Sequence, residues 1–268
     1  MGKGVMNGKR AQKKRIKETG TNLPRSVKAL WEARAGGTRG PKPALTAGEI
    51  ARAAIAVADG EGLDAVSMQR IAREVKVTTM ALYRYFASKD ELVDRMIELA
   101  GGPVRRWEGA PAEWRERLRQ WAHACAAIYA RHVWFLEAAT ARRRVMGPNE
   151  LEWLDAALGA LSAAGLNGAE QMNAFLVLIG HVRSHAEFSA GAAKGISSEQ
   201  WVRITTKLVQ KHRDRYGALV GAIESGAFAA SRGDGFAFGL ECILEGIAAM
   251  ACKEHESKRR PAKRSLLR

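Results

Sequence analysis

Apolar residues return along this chain at spacings of three and four, the period that gathers them on one side of a helix. The clearest succession lies between residues 45 and 100. Thr46-Ala-Gly-Glu49 has the form of a capping box, and Ile50, Ala53, Ala54 and Val57 follow on one face until Gly60 and Gly62 interrupt the pattern. Ser67 is placed to cap a second helix carrying Ile71, Ala72 and Val75. After a tight turn at Lys76-Val77, Thr78 caps a third helix whose Ala81, Leu82 and Phe86 can pack back on the second. Ser88, with Glu91 three residues on, is a further capping box. It opens a helix that runs to Ala100 and stops at Gly101-Gly-Pro103.

From residue 101 onward the same periodicity continues, with no alternating strand pattern and no Gly-rich phosphate loop. Trp114, Leu118, Trp121, Cys125, Ile128 and His132 mark one long helix, and His132 to Ala139 a short one. Gly147-Pro148 breaks the chain before Leu151, Leu154, Leu158 and Leu161, and Gly165 ends that helix. Met172, Phe175, Leu176, Ile179 and Val182 begin a long helix toward Gly191. A basic amphipathic helix follows from Ser198 through His212, then a shorter one from Tyr216 to Glu224 and a Gly-rich loop over 226–235. The last helix carries Phe236, Leu240, Ile243, Leu244, Ile247 and Met250 on one face, with Gly239, Gly246, Ala248 and Ala249 small enough for close helix approach. The fold expected is all-α. A three-helix head with a helix-turn-helix occupies 44–100, a larger helical ligand-binding and dimerisation domain 101–252, a basic and largely disordered arm 1–43, and a basic tail 253–268. The helices 169–190 and 235–252 are apolar enough to be either core or a four-helix interface with a symmetry mate.

The second and third helices of the head leave Thr79, Met80, Tyr83 and Arg84 pointing outward, and none is needed by a buried face. Small polar, aromatic and basic side chains on such a helix suit the major groove: Thr79 can bond a base edge or phosphate, Met80 can lie on a thymine methyl, Tyr83 can do either, and Arg84 fits a phosphate or guanine. Thr78 at the helix start and Gln69 and Arg70 from the preceding helix join the same surface. Lys89 beside the positive N-terminus of the Ser88 helix forms a candidate phosphate clamp, with Tyr85 reaching the adjacent backbone. The partner expected is double-stranded DNA.

Charge sharpens this reading. The formal net charge is +15. Residues 1–43 hold twelve Lys and Arg against Glu18 and Glu32, and residues 253–268 hold seven against Glu254 and Glu256, so residues 44–252 are neutral and the excess sits in the two tails. Within the neutral part, residues 67–89 still carry five basic side chains against Glu74 alone. Arg39-Gly-Pro-Lys42, just before the first helix, has the composition of an arm that enters a minor groove, or of a tail that only raises nonspecific affinity.

The run LTAGEIARAAIAVADGEGLDAVSMQRIAREVKVTTMALYRYFASKDEL, and "ALYRYFASKDEL" above all, resembles the DNA-binding head of the TetR family of bacterial transcriptional repressors. The resemblance implies a cytoplasmic homodimer on a palindromic operator, released when a small-molecule effector bound to the larger domain changes the spacing of two heads. The helix beginning at Ser88 is the natural lever. The resemblance assigns base reading to Gln69, Thr79, Met80 and Tyr83, and phosphate contacts to Thr46, Ser67, Tyr85 and Lys89. Lys76 departs from the family's frequent Gly in the turn, so a lysine must adopt a backbone that Gly adopts easily. The rival reading is an architectural DNA binder without an effector, using its basic tails.

Aromatic residues are concentrated in the body, at Trp107, Trp114, Trp121, Trp134 and Phe175 among others, and they serve either a core or an apolar ligand cavity. The candidate ligand set is Trp114, Trp121, Trp134, Phe175, His181 and His185, with His123, Arg183 and Glu187 as further polar groups. An apolar or aromatic effector is expected from the resemblance. His181 and His185 stand one turn apart without the H-E-x-x-H arrangement, so neither metal nor cofactor is expected. Gly-x-Ser-x-Gly, Cys-x-x-Cys and a P-loop are all absent, which argues against an enzyme. Cys125, Cys242 and Cys252 are read as buried free thiols. No run is read as long and apolar enough to cross a bilayer, and no secretory leader is seen.

Overall fold

The computed structural model describes residues 25–32, 45–104, 113–140, 146–191, 196–228 and 234–259. Residues 1–42 and 43–268 form two separate compact units. Of the first, the described part is a helix, α1 (Arg25–Glu32), with Val27 and Leu30 buried. It falls where the arm has its only apolar periodicity. The rest of the arm, including Arg39-Gly-Pro-Lys42, together with Trp107 and residues 260–268, lies outside the described residues.

In the second unit every helix of the head starts at a hydroxyl side chain. Thr46 caps α2 (Ala47–Glu61) in a reciprocal box with Glu49, and Gly62 ends it at φ 88°, a left-handed backbone that glycine adopts without strain. A single 3₁₀ turn, Leu63–Ala65, leads to α3 (Met68–Glu74), capped by Ser67, and α4 (Thr79–Tyr83), capped by Thr78. Ser88 caps α5 (Lys89–Gly101). The Glu91 carboxylate reaches past Ser88 to accept the Ala87 N–H at 2.7 Å, so the box expected there closes one residue early. Ile50, Ile71, Leu82, Leu92 and Met96 are wholly buried where these helices meet.

The remaining helices are α6 (Trp114–Arg131), α7 (Trp134–Thr140), α8 (Pro148–Ala163), α9 (Gly168–Gly191), α10 (Ser198–Lys211), α11 (Gly217–Glu224) and α12 (Gly235–Arg259). Among the described residues there is no strand. The four helices α6, α8, α9 and α12 are stacked so that α6 packs on α8 and α9, and α9 on α8 and α12. Helix α5 lies against α2 on one side and against α7 and α8 on the other. One apolar core therefore runs unbroken from Ile50 through Ile97 to Leu178 and Leu244.

Two expectations are corrected in α12. Its segment Gly235–Cys252 has a mean hydropathy of 1.6 and is long and apolar enough to cross a membrane by length and composition. Ala and Cys raise that mean without forming an unbroken apolar run, which is why the segment escapes inspection for runs. It nevertheless carries Glu241, which accepts two hydrogen bonds from the Arg119 guanidinium at 2.6 and 2.8 Å and is held below the usual carboxylate range by them. Cys242 and Cys252 are exposed, because they stand off the buried stripe of Leu240, Leu244, Ile247 and Ala251; only Cys125 is buried. Of the small residues, Gly239 is needed: a Cβ there would overlap the His181 ring, while Gly246 faces open space.

Candidate nucleic-acid interface and ligand pocket

The turn between α3 and α4 is a double-bonded C-cap. The Val77 N–H reaches the Ala72 carbonyl at 2.9 Å and the Lys76 N–H reaches Arg73 at 3.2 Å, the two bonds of a Schellman motif. Lys76, its central residue, has φ 56° and is the one non-glycine with positive φ among the described residues. The lysine thus adopts the conformation glycine would supply.

Helix α4 is only five residues long and is anchored by Leu82, which is wholly buried. Met80, Tyr83 and Arg84 around that anchor face out. Met80 is 75% exposed and Tyr83 45%, although full burial of such a side chain is worth about 1.5–3 kcal/mol. Gln69, Thr78 and Arg84 are exposed beside them and Thr79 is half-buried. The sequence-predicted base-reading set is therefore assembled on one free surface.

The predicted phosphate contacts divide. Ser67 Oγ accepts the Arg70 N–H at 3.1 Å, which leaves its own proton available. Lys89 Nζ spends one of three protons on the Leu63 carbonyl at 3.4 Å. Thr46 gives its hydroxyl proton to Glu49 at 2.7 Å, and Tyr85 gives its own to the Leu45 carbonyl at 3.0 Å. A phosphate oxygen only accepts, so these two hydroxyls offer it nothing while so engaged. Arg70 is also committed, its guanidinium held between Glu61 and Glu74. The sequence shows these side chains on the right face but not the carboxylates and carbonyls that occupy them.

Two polar sites reinforce the apolar packing between head and body. The Asp59 carboxylate at the end of α2 accepts the Trp134 indole N–H at 2.6 Å and the His132 Nδ1–H at 2.8 Å, so Trp134 serves this junction and lines the open cleft beside it with Asp59 and Glu187. On α5, buried Glu98 accepts the Asn149 N–H at 2.7 Å, while the Asn149 side chain donates to the Glu98 carbonyl at 2.8 Å. Glu98 thus caps the N-terminus of α8. A Cβ on Gly147 would overlap that carboxylate, so glycine is required there. Burial pushes the Glu98 carboxyl above its ordinary range, outweighing the backbone N–H groups of Asn149 and Glu150 that favour its charged form.

Beneath this junction α6, α8 and α9 line a pocket of about 100 Å³ that is open at its mouth. Trp121, Cys125 and Tyr129 line it from α6, Glu150, Trp153 and Leu154 from α8, and Phe175, Ile179 and Arg183 from α9, each at helical spacing. Gly101, the last residue of α5, completes the wall. Trp121 meets Trp153 and Phe175 edge to face at 6.4 and 5.9 Å, and its indole N–H donates to the Trp153 carbonyl at 2.8 Å. Burial raises the Tyr129 phenol and the Cys125 thiol above their ordinary pKa values.

Of the six predicted ligand residues, Trp121 and Phe175 line the pocket and four do not. Trp114 is stacked under Arg115 at 4.7 Å. His181 Nε2–H donates to the Phe236 carbonyl at 2.9 Å with its ring stacked on that phenyl, and His185 leans on the same ring. Both histidines are thereby spent on the packing of α9 against α12, and among the described residues no group of three metal-ligating side chains forms. Tyr129 and Trp153, body aromatics outside the candidate set, line the pocket too, as does Glu150, which the sequence does not single out. Tyr129 follows Trp121 and Cys125 at intervals of four, a signal present in the sequence, whereas the face that α8 turns to the pocket is set by packing.

A capped helix-turn-helix bearing exposed polar, aromatic and basic side chains, joined through one helix to an apolar pocket, has the build of a DNA-binding regulator with a ligand domain. Residues 49–96 match the family model "Bacterial regulatory proteins, tetR family", and residues 108–251 match "Tetracyclin repressor-like, C-terminal domain". The chain belongs to the TetR family of transcriptional regulators. It is 30% identical over 244 residues to the HTH-type transcriptional repressor DrrR1 of Streptomyces coeruleorubidus, covering 87% of this chain and 88% of that one. It is similar to apo ActR of Streptomyces coelicolor (TM-score 0.68, 25% identity, 80% of this chain and 100% of that one). The crystal structure of ActR with actinorhodin is similar too (TM-score 0.67, 25% identity, 78% of this chain and 99% of that one).

Proposed function

We propose that this chain is a homodimeric repressor of a palindromic operator, released when a small apolar or aromatic effector fills the pocket between α6, α8 and α9. The observation that carries the reading is the placement of α5. The helix packed on α2 of the head ends at Gly101 in the pocket wall and, through Glu98, caps α8. An occupant that shifts α8 or Gly101 changes the tilt of α5 and hence the separation of two heads. The crystal structure of ActR in complex with actinorhodin supports a role for a small ligand.

Dimerisation follows from what α9 and α12 leave uncovered. Leu176, Val177 and Phe188 on α9 and Phe238 and Met250 on α12 are 47% to 74% exposed in a single copy. Apolar side chains at this density on two neighbouring helices call for a partner face. We assign the exposed apolarity of Gly235–Cys252 to this interface, with the chain acting in the cytoplasm.

Sedimentation with and without operator DNA, with nuclease footprinting, tests the reading. The wild type should sediment as a dimer and protect one short inverted repeat; Phe238→Glu should give a folded monomer that does not. A wild-type monomer, or uniform salt-sensitive coverage of DNA, would contradict it and favour an architectural binder.

A further inference from the structure

The pocket's walls are apolar rings, yet among its polar groups Arg183, whose guanidinium bonds the Tyr129 phenol, keeps one N–H without a partner. Arg183 enters from α9 beside the Tyr129 hydroxyl and the Cys125 thiol, and its Nε is buried without a hydrogen-bond partner among the described residues. A buried guanidinium N–H left unpaired is costly, and more so in surroundings as dry as those that raise the neighbouring thiol and phenol. The pocket's carboxylate does not answer it. Glu150 accepts the Gly147 N–H at 3.3 Å in the capping of α8.

We propose that the effector is a planar aromatic acid, its carboxylate or acidic phenol oxygen accepting from Arg183 and its ring system lying among Trp121, Trp153 and Phe175. This rests on the effector role of the pocket given above and adds the chemical class of the occupant. The edge-to-face arrangement of the three rings offers flat apolar walls, which favour a fused ring over a chain. A guanidinium in the wall selects for an anionic acceptor, because a charge-assisted bond to it is both strong and directional. A neutral aromatic of the same shape would fill the walls but offer Arg183 only a weaker acceptor. An aromatic cation would place its charge against the guanidinium.

The test uses the full-length protein, anthracene-2-carboxylate and its uncharged counterpart anthracene-2-carboxamide, with binding read by calorimetry and operator release by gel shift. The acid should bind about tenfold or more tightly than the amide. Arg183→Met and Arg183→Gln should bring the acid down to about the level of the amide, with a much smaller loss for the amide. Two variants of different polarity are used so that misfolding of one leaves the other as the test, with circular dichroism identifying the folded one. Equal binding of acid and amide, undiminished acid binding by the folded variant, or no binding of either probe would overturn the proposal. Arg183-dependent binding of the acid without operator release would uphold this assignment and count against the effector reading. Release by the amide as effective as by the acid would do the reverse.

Discussion

The head and the body of this protein are built from the same element, yet they carry information differently. In the head each helix begins at a hydroxyl, Thr46, Ser67, Thr78 or Ser88, and the candidate DNA-facing side chains lie chiefly on the two shortest, α3 and α4. In the body the pocket is made by three long helices, and whether a given aromatic residue faces it is decided by partners 30 or more positions away, as with Trp121 and the carbonyl of Trp153. Local chemistry specifies the head; packing specifies the body. A surface that must meet DNA can be set by four or five adjacent residues, whereas a cavity needs walls from separate parts of the chain.

The sharpest way to break this comparison is to remove a body residue that serves both core and pocket. Trp121 is 2% exposed, and Trp121→Ala should destabilise the protein by about 3–5 kcal/mol, measured by chemical denaturation. A loss below about 1 kcal/mol would mean that the body collapses around the gap and that its packing is not specific. The head offers the opposite case. Tyr83 is exposed, so Tyr83→Ala should leave the denaturation midpoint nearly unchanged yet weaken operator binding by about 1–3 kcal/mol in equilibrium titrations. Unaltered affinity would remove Tyr83 from the base-reading set.

A smaller effect should come from the turn. Lys76 holds φ 56°, and Lys76→Gly should stabilise the protein by about 1 kcal/mol through relief of the left-handed backbone. A destabilisation would show that the lysine side chain contributes more than its backbone costs. The most subtle change lies at the junction of the two regions. Because the Glu98 carboxyl is raised, the folded protein holds a proton that the unfolded chain releases. The stability this contributes is full below the ordinary glutamate range and is lost as pH rises through the elevated value. Glu98→Gln keeps an oxygen for the Asn149 N–H without a charge to bury. It should make the pH dependence shallower and be relatively most stabilising at neutral pH, as followed by thermal melts across a pH series. A parallel pH profile in the variant would exclude Glu98 as the group responsible.

What could be read beforehand follows the same division. The periodic positions give the long helices to within a few residues, except that α12 runs seven residues past the expected 252 to Arg259, into the segment read as a tail, and the hydroxyl caps give the head almost residue by residue, including the strain at Lys76. Missing were the competitors for the predicted contacts. Nothing near Arg70 in sequence shows that Glu61 lies on its guanidinium, nine positions earlier and across a turn. Leu45 is 40 positions from the hydroxyl of Tyr85 that it binds. Trp134 and His181 have the composition of ligand residues but are committed to Asp59 and to the Phe236 carbonyl, both distant in sequence. Arg183 lines the pocket because α9 is regular from Phe175 onward, and its role depends on an atom left unpartnered, which only a folded structure exposes.

The central claim is that the exposed residues of α3 and α4 read a defined sequence as a symmetric pair. Selection of binding sites from random DNA by the purified full-length protein measures this most directly. The account predicts enrichment of one inverted repeat whose half-sites lie about one helical turn, roughly 34 Å, apart, with enrichment lost in Tyr83→Ala. A pool that gains affinity without converging on any sequence, and does so equally for wild type and variant, would contradict it.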